Sequence, residues 1–534
     1  MIKSIYIYIL LALAGCLFFL PFLGYVHLFD WDEINFAEAA REMILTKDYL
    51  KVEIDFKPFY EKPPLFIWLQ VLSMKCFGIN EFSARFPNVI CGICTLGVLF
   101  AIGKKISDQT FGLIWAFIYF GSLLPHLYFK SGIIDPWFNL FIFLSIYFLI
   151  KNSIETKEVT NRFGISNVLY SGFFGGLSLL TKGPAGILII IITYFFYFVF
   201  RIKKIKRFFI SIVIFLSVTL LTSSVWYLSE WYVHGSGFIK EFITYQFRLF
   251  STEDAGHGGP FYFHAVVLFF GCFPASAFLF SGWKTNKIYN DHFRNYSFLM
   301  KLLLMVVLLI FSIVKTKIVH YSSLAYFPLT FIAASYIYSV IAGTATLKTT
   351  TKIIFFIPSI ILLGIFIMVP FLLTTPDIIL DKIKDPFAVA CLKEPVSQSL
   401  FLYFPSLVFL TLLIFCGILI RLKNKIHFFI LTWFILPVSL FFFQVMNLPL
   451  LEKKLQGSAI SFYKEAGKNE ECAEPRDFKS YAHLFYAQKK DSLCGSTYIV
   501  SKIQYAEKYK NSPEYQYLFT KGGFVFLKIS KGEN

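Results

Sequence analysis

Apolar stretches long enough to cross a bilayer alternate with short polar connections over the first 450 residues. They lie near 5–28, 64–79, 84–103, 110–128, 133–150, 167–181, 184–200, 208–228, 261–281, 298–314, 320–342, 352–374, 399–420 and 427–446. About 20 apolar residues suffice for one helical crossing, so the pattern predicts a polytopic α-helical membrane protein. The connections sort by charge. RIKKIKR (Arg201–Arg207), Trp283–Asn295 and Arg421–His427 are basic and are placed in the cytoplasm by the positive-inside rule. Counting back from Arg201 puts Asn152–Arg162 inside and the 229–260 loop outside. Counting on puts 375–398 and everything after 446 outside. Met1–Leu28 reads as a retained first helix, because its apolar stretch is long and no small-residue cleavage site follows. With the N-terminus inside, the Phe29–Lys62 loop is outside. Between Lys62 and Lys151 an odd number of crossings is then required, yet four apolar segments are present. The segment 110–128, interrupted by Pro125 and His126, is therefore not an independent crossing. About 13 transmembrane helices remain, and Asp135 falls on the same face as Asp32.

Beyond residue 450 the period changes. Residues 451–534 are polar, with alternating runs at Ser496–Val500 and Gly522–Ser530 and helix-like material in SAISFYKEAG and KSYAHLFYAQ. These predict a small α/β domain on the periplasmic side. The plan is thus a transmembrane domain over 1–450, with periplasmic loops at 29–63 and 229–260, followed by the domain at 451–534.

Composition agrees. Of 534 residues, 57% are hydrophobic and 16% charged, and a soluble chain of this length carries far more charge. The net charge of +17 is gathered in the short loops, so it marks membrane topology and not nucleic-acid binding. Most of the nine cysteines sit in apolar segments as packing residues. Cys391, Cys472 and Cys494 fall outside, where an oxidising compartment permits a disulfide, and Cys472–Cys494 is the local pairing.

The polar residues that do not fit a plain membrane scaffold gather on the outer face. The first loop carries Asp32, Glu33, Glu38, Arg41, Glu61 and Lys62. Asp135 opens a later segment, Lys182 ends another in TKGP, Arg248 and His257 lie in the 229–260 loop, and KTKIVHY brings Lys315, Lys317, His320 and Tyr321. Charge at a membrane boundary is costly and is kept where it has a function. A carboxylate there can act as general base on an acceptor hydroxyl. Lysine and arginine can hold a phosphate as it leaves, and a glutamate with a histidine can share a divalent metal. Such parts describe group transfer from a membrane-embedded phosphate ester. No Gly-rich phosphate loop is present to hold a soluble nucleotide donor.

The segments DEINFAEAAREM (Asp32–Met43), YEKPPLFIWL (Tyr60–Leu69), GIIDP (Gly132–Pro136), GLSLLTKGP (Gly176–Pro184), STEDAGHGGPFYF (Ser251–Phe263) and KTKIVHYSSLAYFPL (Lys315–Leu329) occur in one order. The chain they build resembles the GT-C fold glycosyltransferases of the ArnT (lipid A aminoarabinose transferase) and protein O-mannosyltransferase-like family. The resemblance implies transfer of a sugar from a polyprenyl-phosphate donor to lipid A or another envelope acceptor. The site would face the periplasm in the bacterial inner membrane. It implies catalytic acids at Asp32, the base, and Asp135. Lys62 matches a ligand of the carrier phosphate, and Glu61 with His257 matches a metal pair, with zinc as the expected ion. Glu33, Tyr60 and Tyr321 are assigned to the substrate pocket. Two departures stand out. Asn35 occupies the position of a phosphate-binding arginine, so Arg248 or Lys182 would supply that charge. Phe59-Tyr60 reverses the family's aromatic pair. A secreted-protein acceptor is the alternative within this class. A lipid-linked sugar transporter is the alternative outside it, disfavoured because no internal repeat is visible and the charges lie at one face.

Overall fold

The computed structural model describes residues 4–158, 164–202, 205–251, 258–284, 291–397, 399–491 and 494–530. Helix α1 (Ser4–Phe19) stops short of the predicted end. Pro21 cannot continue the ladder, and the freed carbonyls of Phe18 and Pro21 accept hydrogen bonds from the Lys130 ammonium at 2.9 and 2.8 Å. The chain then turns into α2 (Asp32–Thr46), an alanine-rich helix buried along most of its length. A two-residue hairpin follows, β1 (Glu53–Ile54) paired antiparallel with β2 (Lys57–Pro58). Its turn residues Asp55 and Phe56 both have positive φ. The Glu42 carboxyl accepts both of their N–H groups, at 2.7 and 2.9 Å, and so holds the turn.

Beyond it run α3 (Leu65–Phe77), α4 (Glu81–Ile106), α5 (Gln109–Phe120), α6 (Leu123–Tyr128), α7 (Asp135–Glu158), α8 (Ile165–Lys182), α9 (Ala185–Tyr197), α10 (Ile205–His234) and α11 (Gly237–Ser251). They continue with α12 (Phe263–Gly271), α13 (Ala275–Trp283), α14 (Asp291–Ile313), a 3-10 turn at Val319–Ala325, α15 (Tyr326–Ile341) and α16 (Thr349–Thr374). Long helices at Phe404–Arg421 and Lys425–Met446 complete the bundle. Among the described residues eight helices are long and apolar enough to span a membrane, or nine if the bent α12–α13 pair is one span. Four shorter apolar helices stand beside them. The protein is a multi-pass membrane protein. The expected 110–128 segment is broken in two at Gly121–Ser122, between α5 and α6. Of the 229–260 stretch, expected as a loop, residues 229–234 and 237–251 are helical. There α10 runs on to His234, and α11 lays Phe238 and Phe242 against Trp226 and Leu180.

The C-terminal part forms a four-stranded sheet in the order β3 (Cys472–Pro475), β4 (Ser496–Lys502), β6 (Phe524–Ile529), β5 (Tyr515–Lys521). The β3–β4 pair is parallel and the others antiparallel. Gly522 and Gly523 give the β5–β6 hairpin its two positive-φ residues, as a tight hairpin turn requires. Cys472 and Cys494 are bonded to one another. Cys91 is buried and Cys94, one turn on along α4, is exposed. The first loop and the C-terminal domain share one core. Ile34, Ala37 and Met43 of α2 pack in a single cluster with Ile460, Tyr463, Phe485 and Phe526.

Candidate active site

Three chain segments bring charge together where α2, α7 and the 3-10 turn meet. Asp32 and Asp135 are the first residues of α2 and α7, where a carboxylate is favoured by the helix dipole. Pro136 sits in the first turn of α7, where proline costs nothing. The His320 imidazole lies between the two acids, its Nε2 3.5 Å from Asp32 Oδ2 and 3.7 Å from Asp135 Oδ2. Lys182, the last residue of α8, donates to Asp135 Oδ1 at 2.6 Å, and its ammonium stands 5.0 Å from the centre of the Tyr321 ring. The α8–α9 turn that aims it depends on Gly183. That residue has φ +98°, and a Cβ there would lie 2.5 Å from Phe242 Cζ.

Lys62 is placed by the rigid Pro63-Pro64 step before α3. Its ammonium lies 3.8 Å from Glu61 Oε2, donates to Tyr245 Oη at 3.3 Å and sits 4.8 Å over the Tyr245 ring. Arg248, three residues further along α11, covers the same ring at 5.1 Å. Lys62 and Lys182 both act on the electrostatic field at His320, together with Asp32 and Asp135. Asp32, Asp135, Lys182 and His320 therefore make one group, and Lys62, with Tyr245 and Arg248 beside it, lies near enough to act on the field at His320. The Tyr60 ring lies tilted 6.0 Å from Phe238 and packs against α11.

Glu33 lines the same cavity as Asp32, but its carboxylate is fully engaged. Arg85 grips its carboxylate with two hydrogen bonds, at 2.9 and 2.8 Å, and the N–H groups of Phe29 and Gly132 add two more, at 2.9 and 2.6 Å. Burial pushes this carboxyl up, but the Arg85 charge and the four hydrogen bonds hold it below the usual range. Its occupied oxygens make Glu33 a brace between the start of α2, α4 and the loop before α7. Arg85 also donates to the carbonyls of Leu23, Val26 and His27.

A cavity of about 620 Å³ opens beside Asp32 and His320, lined also by Asp30, Glu33, Arg85 and Lys130. Burial pushes the Asp30 carboxyl up to about 6, against a hydrogen bond from Ser480. Lys317 lies outside this group. It donates to the carbonyls of Phe311, Ser312 and Val314 and caps α14. His257 lies outside the described residues. Among the described residues no three histidine, cysteine, aspartate or glutamate side chains converge as a metal ion would need.

His320 had been visible as a boundary residue without a role; what singles it out is its place between two acids, which no spacing in the chain encodes. Arg85 could have been found as a lone arginine inside an apolar segment, since such a charge needs a partner.

The family described as dolichyl-phosphate-mannose-protein mannosyltransferase matches residues 61–227. The chain is 28% identical over 329 residues to the undecaprenyl phosphate-alpha-4-amino-4-deoxy-L-arabinose arabinosyl transferase of Wigglesworthia glossinidia brevipalpis, covering 60% of this chain and 56% of that protein. It is 27% identical over 336 residues to the transferase of the same name from Pectobacterium carotovorum subsp. carotovorum, covering 62% and 58%. The chain thus spans a little over half the length of the curated relatives it matches. In fold it is similar to the crystal structure of ArnT from Cupriavidus metallidurans bound to undecaprenyl phosphate. The TM-score is 0.77 at 13% identity, covering 99% of this chain and 98% of that one. The archaeal oligosaccharyltransferase AglB from Archaeoglobus fulgidus is a more distant neighbour, with a TM-score of 0.51 at 10% identity. The fold is that of a GT-C membrane protein carrying a small α/β domain. Within that class the chain resembles the ArnT and protein O-mannosyltransferase-like family, in sequence over residues 61–227 for the mannosyltransferase family model and in architecture over nearly its whole length.

Proposed function

We propose that this protein is an integral-membrane glycosyltransferase. It moves a sugar from a polyprenyl-phosphate donor to an envelope acceptor such as lipid A, at the periplasmic face of the bacterial inner membrane. The observation that carries this reading is the ion cluster Asp32–His320–Asp135–Lys182 with Lys62 beside it. The proposed base Asp32 and its neighbour His320 line a cavity of about 620 Å³, with Asp135 and Lys182 behind them. The names of the relatives supply the donor class.

In this mechanism the acceptor hydroxyl enters from the cavity side and gives its proton to Asp32. The oxygen attacks the anomeric carbon from the face opposite the carrier, so the configuration inverts. The C–O bond to the carrier breaks, and the polyprenyl phosphate leaves toward Lys62, with Arg248 and Tyr245 beside it. His320 stands between Asp32 and Asp135 at ion-pair distance, and Lys182 neutralises Asp135 through a charge-assisted hydrogen bond. A divalent ion, zinc by the resemblance, would take Glu61 and His257 as ligands and supply further charge for the phosphate. No step above is routed through it.

A protein acceptor is the second reading, favoured by the match of residues 61–227 to protein mannosyltransferases. The test is to incubate purified protein with polyprenyl-phosphate sugars and either lipid A or an unfolded secreted polypeptide, and to weigh the products by mass spectrometry. Sugar on lipid A is expected. Asp32→Asn should abolish transfer while the protein still inserts in the membrane; product at the wild-type rate from that variant would overturn the assignment of the base.

A further inference from the structure

The main chain that delivers Asp32 is held in part from the C-terminal domain, and among the described residues most of the polar contacts from that domain to residues 28–31 come from one closed loop. Leu28 N donates to Tyr486 Oη at 2.7 Å. The Asp30 carboxylate accepts a hydrogen bond from Ser480 Oγ. The Trp31 ring lies 5.4 Å from the Tyr481 ring, and the Lys479 ammonium stands 4.8 Å over the indole. Further along the same segment, Arg41 donates to the Lys489 carbonyl at 2.8 Å, and the Lys489 ammonium pairs with Asp55 at 2.8 Å. From outside the bridge, Gln456 donates to Leu28 O at 3.0 Å, and Ile460, Tyr463 and Phe526 pack in the same cluster as Leu28 and α2.

Within the bridge, Lys479, Ser480 and Tyr481 belong to no helix or strand. The β3–β4 ladder shifts register between Cys472 and Ala473, so strand pairing is irregular at the base of the loop, where the bridge closes it. Both cysteines are part-exposed and within reach of a soluble thiol.

We propose that the disulfide-closed segment Cys472–Cys494 is a positioning element of the active site. Through Ser480, Tyr481 and Tyr486 it fixes residues 28–31, and with them the Asp32 carboxylate against His320 and Asp135, so that the covalent state of the bridge sets the turnover rate. This rests on the catalytic reading of Asp32. Reduction by dithiothreitol breaks the Sγ–Sγ bond. The reagent gives up two electrons and two protons, Cys472 and Cys494 become thiols, and the reagent leaves as its cyclic disulfide.

The experiment measures sugar transfer and hydrogen exchange on the full-length protein in detergent, for wild type, Ser480→Ala and the Cys472→Ser/Cys494→Ser double variant. Displacing a catalytic group by a fraction of its proper geometry costs about ten- to a hundredfold in rate. The double variant should lose that much kcat with the donor KM unchanged, and amide exchange over residues 27–33 should quicken. Ser480→Ala, which removes one hydrogen bond, should lose about three- to tenfold. Should the double variant fold poorly, wild type reduced by dithiothreitol and reoxidised with oxidised glutathione replaces it, and the rate must fall and then recover. Wild-type kcat without the bridge, or unchanged exchange over 27–33, overturns the proposal. If wild type itself transfers no sugar, the functional reading fails, and the exchange measurement still decides the clamp.

Discussion

Single side chains in this protein do two opposite kinds of work with the same chemistry. Asp32 and Glu33 are neighbours in the chain and line one cavity, yet Asp32 faces a histidine while the Glu33 carboxylate is saturated by Arg85 and two backbone N–H groups. Removing one partner of a buried ion pair leaves the other uncompensated, at a cost of about 3–5 kcal/mol. Arg85→Leu is therefore expected to lower the melting temperature of the detergent-solubilised protein sharply. The double replacement Glu33→Gln with Arg85→Leu should recover part of the loss, because no lone charge remains. Lys62 tests the other role. Its ammonium faces Tyr245 across a part-exposed site, and a hydrogen bond to a charged group is worth about 1.5–3 kcal/mol. Lys62→Met should then raise the donor KM by about ten- to a hundredfold and leave the melting temperature near that of wild type. Steady-state kinetics at varied donor concentration reads this directly.

At the scale of elements, the site is assembled from ends. Asp32 and Asp135 open helices, Lys182 closes one, Lys62 precedes one, and His320 rides on a 3-10 turn leading into α15. Helix ends leave backbone groups unpaired and so draw charge; here several ends are turned to the same place. The α8–α9 turn shows how little slack exists, because Gly183 has positive φ and lies against Phe242 of α11. Gly183→Ala would strain the turn and push α11, with Tyr245 and Arg248, away from Lys62. A raised donor KM is expected, larger than that of an alanine placed at the open Gly343, measured in the same assay.

Over the whole molecule, the membrane bundle and the C-terminal domain are joined through α2 and its hairpin and do not pack as independent bodies. At that joint Glu38 and Glu42 share one side of α2 with Arg41. Burial, then the charge of Glu38, pushes the Glu42 carboxyl up to about 9. The folded protein thus keeps a proton that the unfolded chain releases near the ordinary value of 4.5. A raised carboxyl contributes its stability in full below the unfolded value, and that stability is lost as pH rises toward 9. The melting temperature should accordingly fall from pH 6 to pH 9, and Glu42→Gln should flatten that slope. A profile identical to wild type in the variant would place the titration elsewhere.

The spanning helices, the change of pattern near residue 450 and the gathering of acids and lysines at segment ends were legible in the chain alone. Bilayer thickness sets the length of an apolar run, and side-chain alternation sets a strand; both are local rules. The same rules do not say which face of a turn meets which helix end. The separate fates of Asp32 and Glu33, the place of His320 between two acids, and the helical form of the 229–251 stretch depend on contacts between distant parts of the chain. So does the grip of Lys479–Tyr486 on residues 28–31. Such contacts are settled by packing and by the need to pair every buried charge, and only the folded protein decides them.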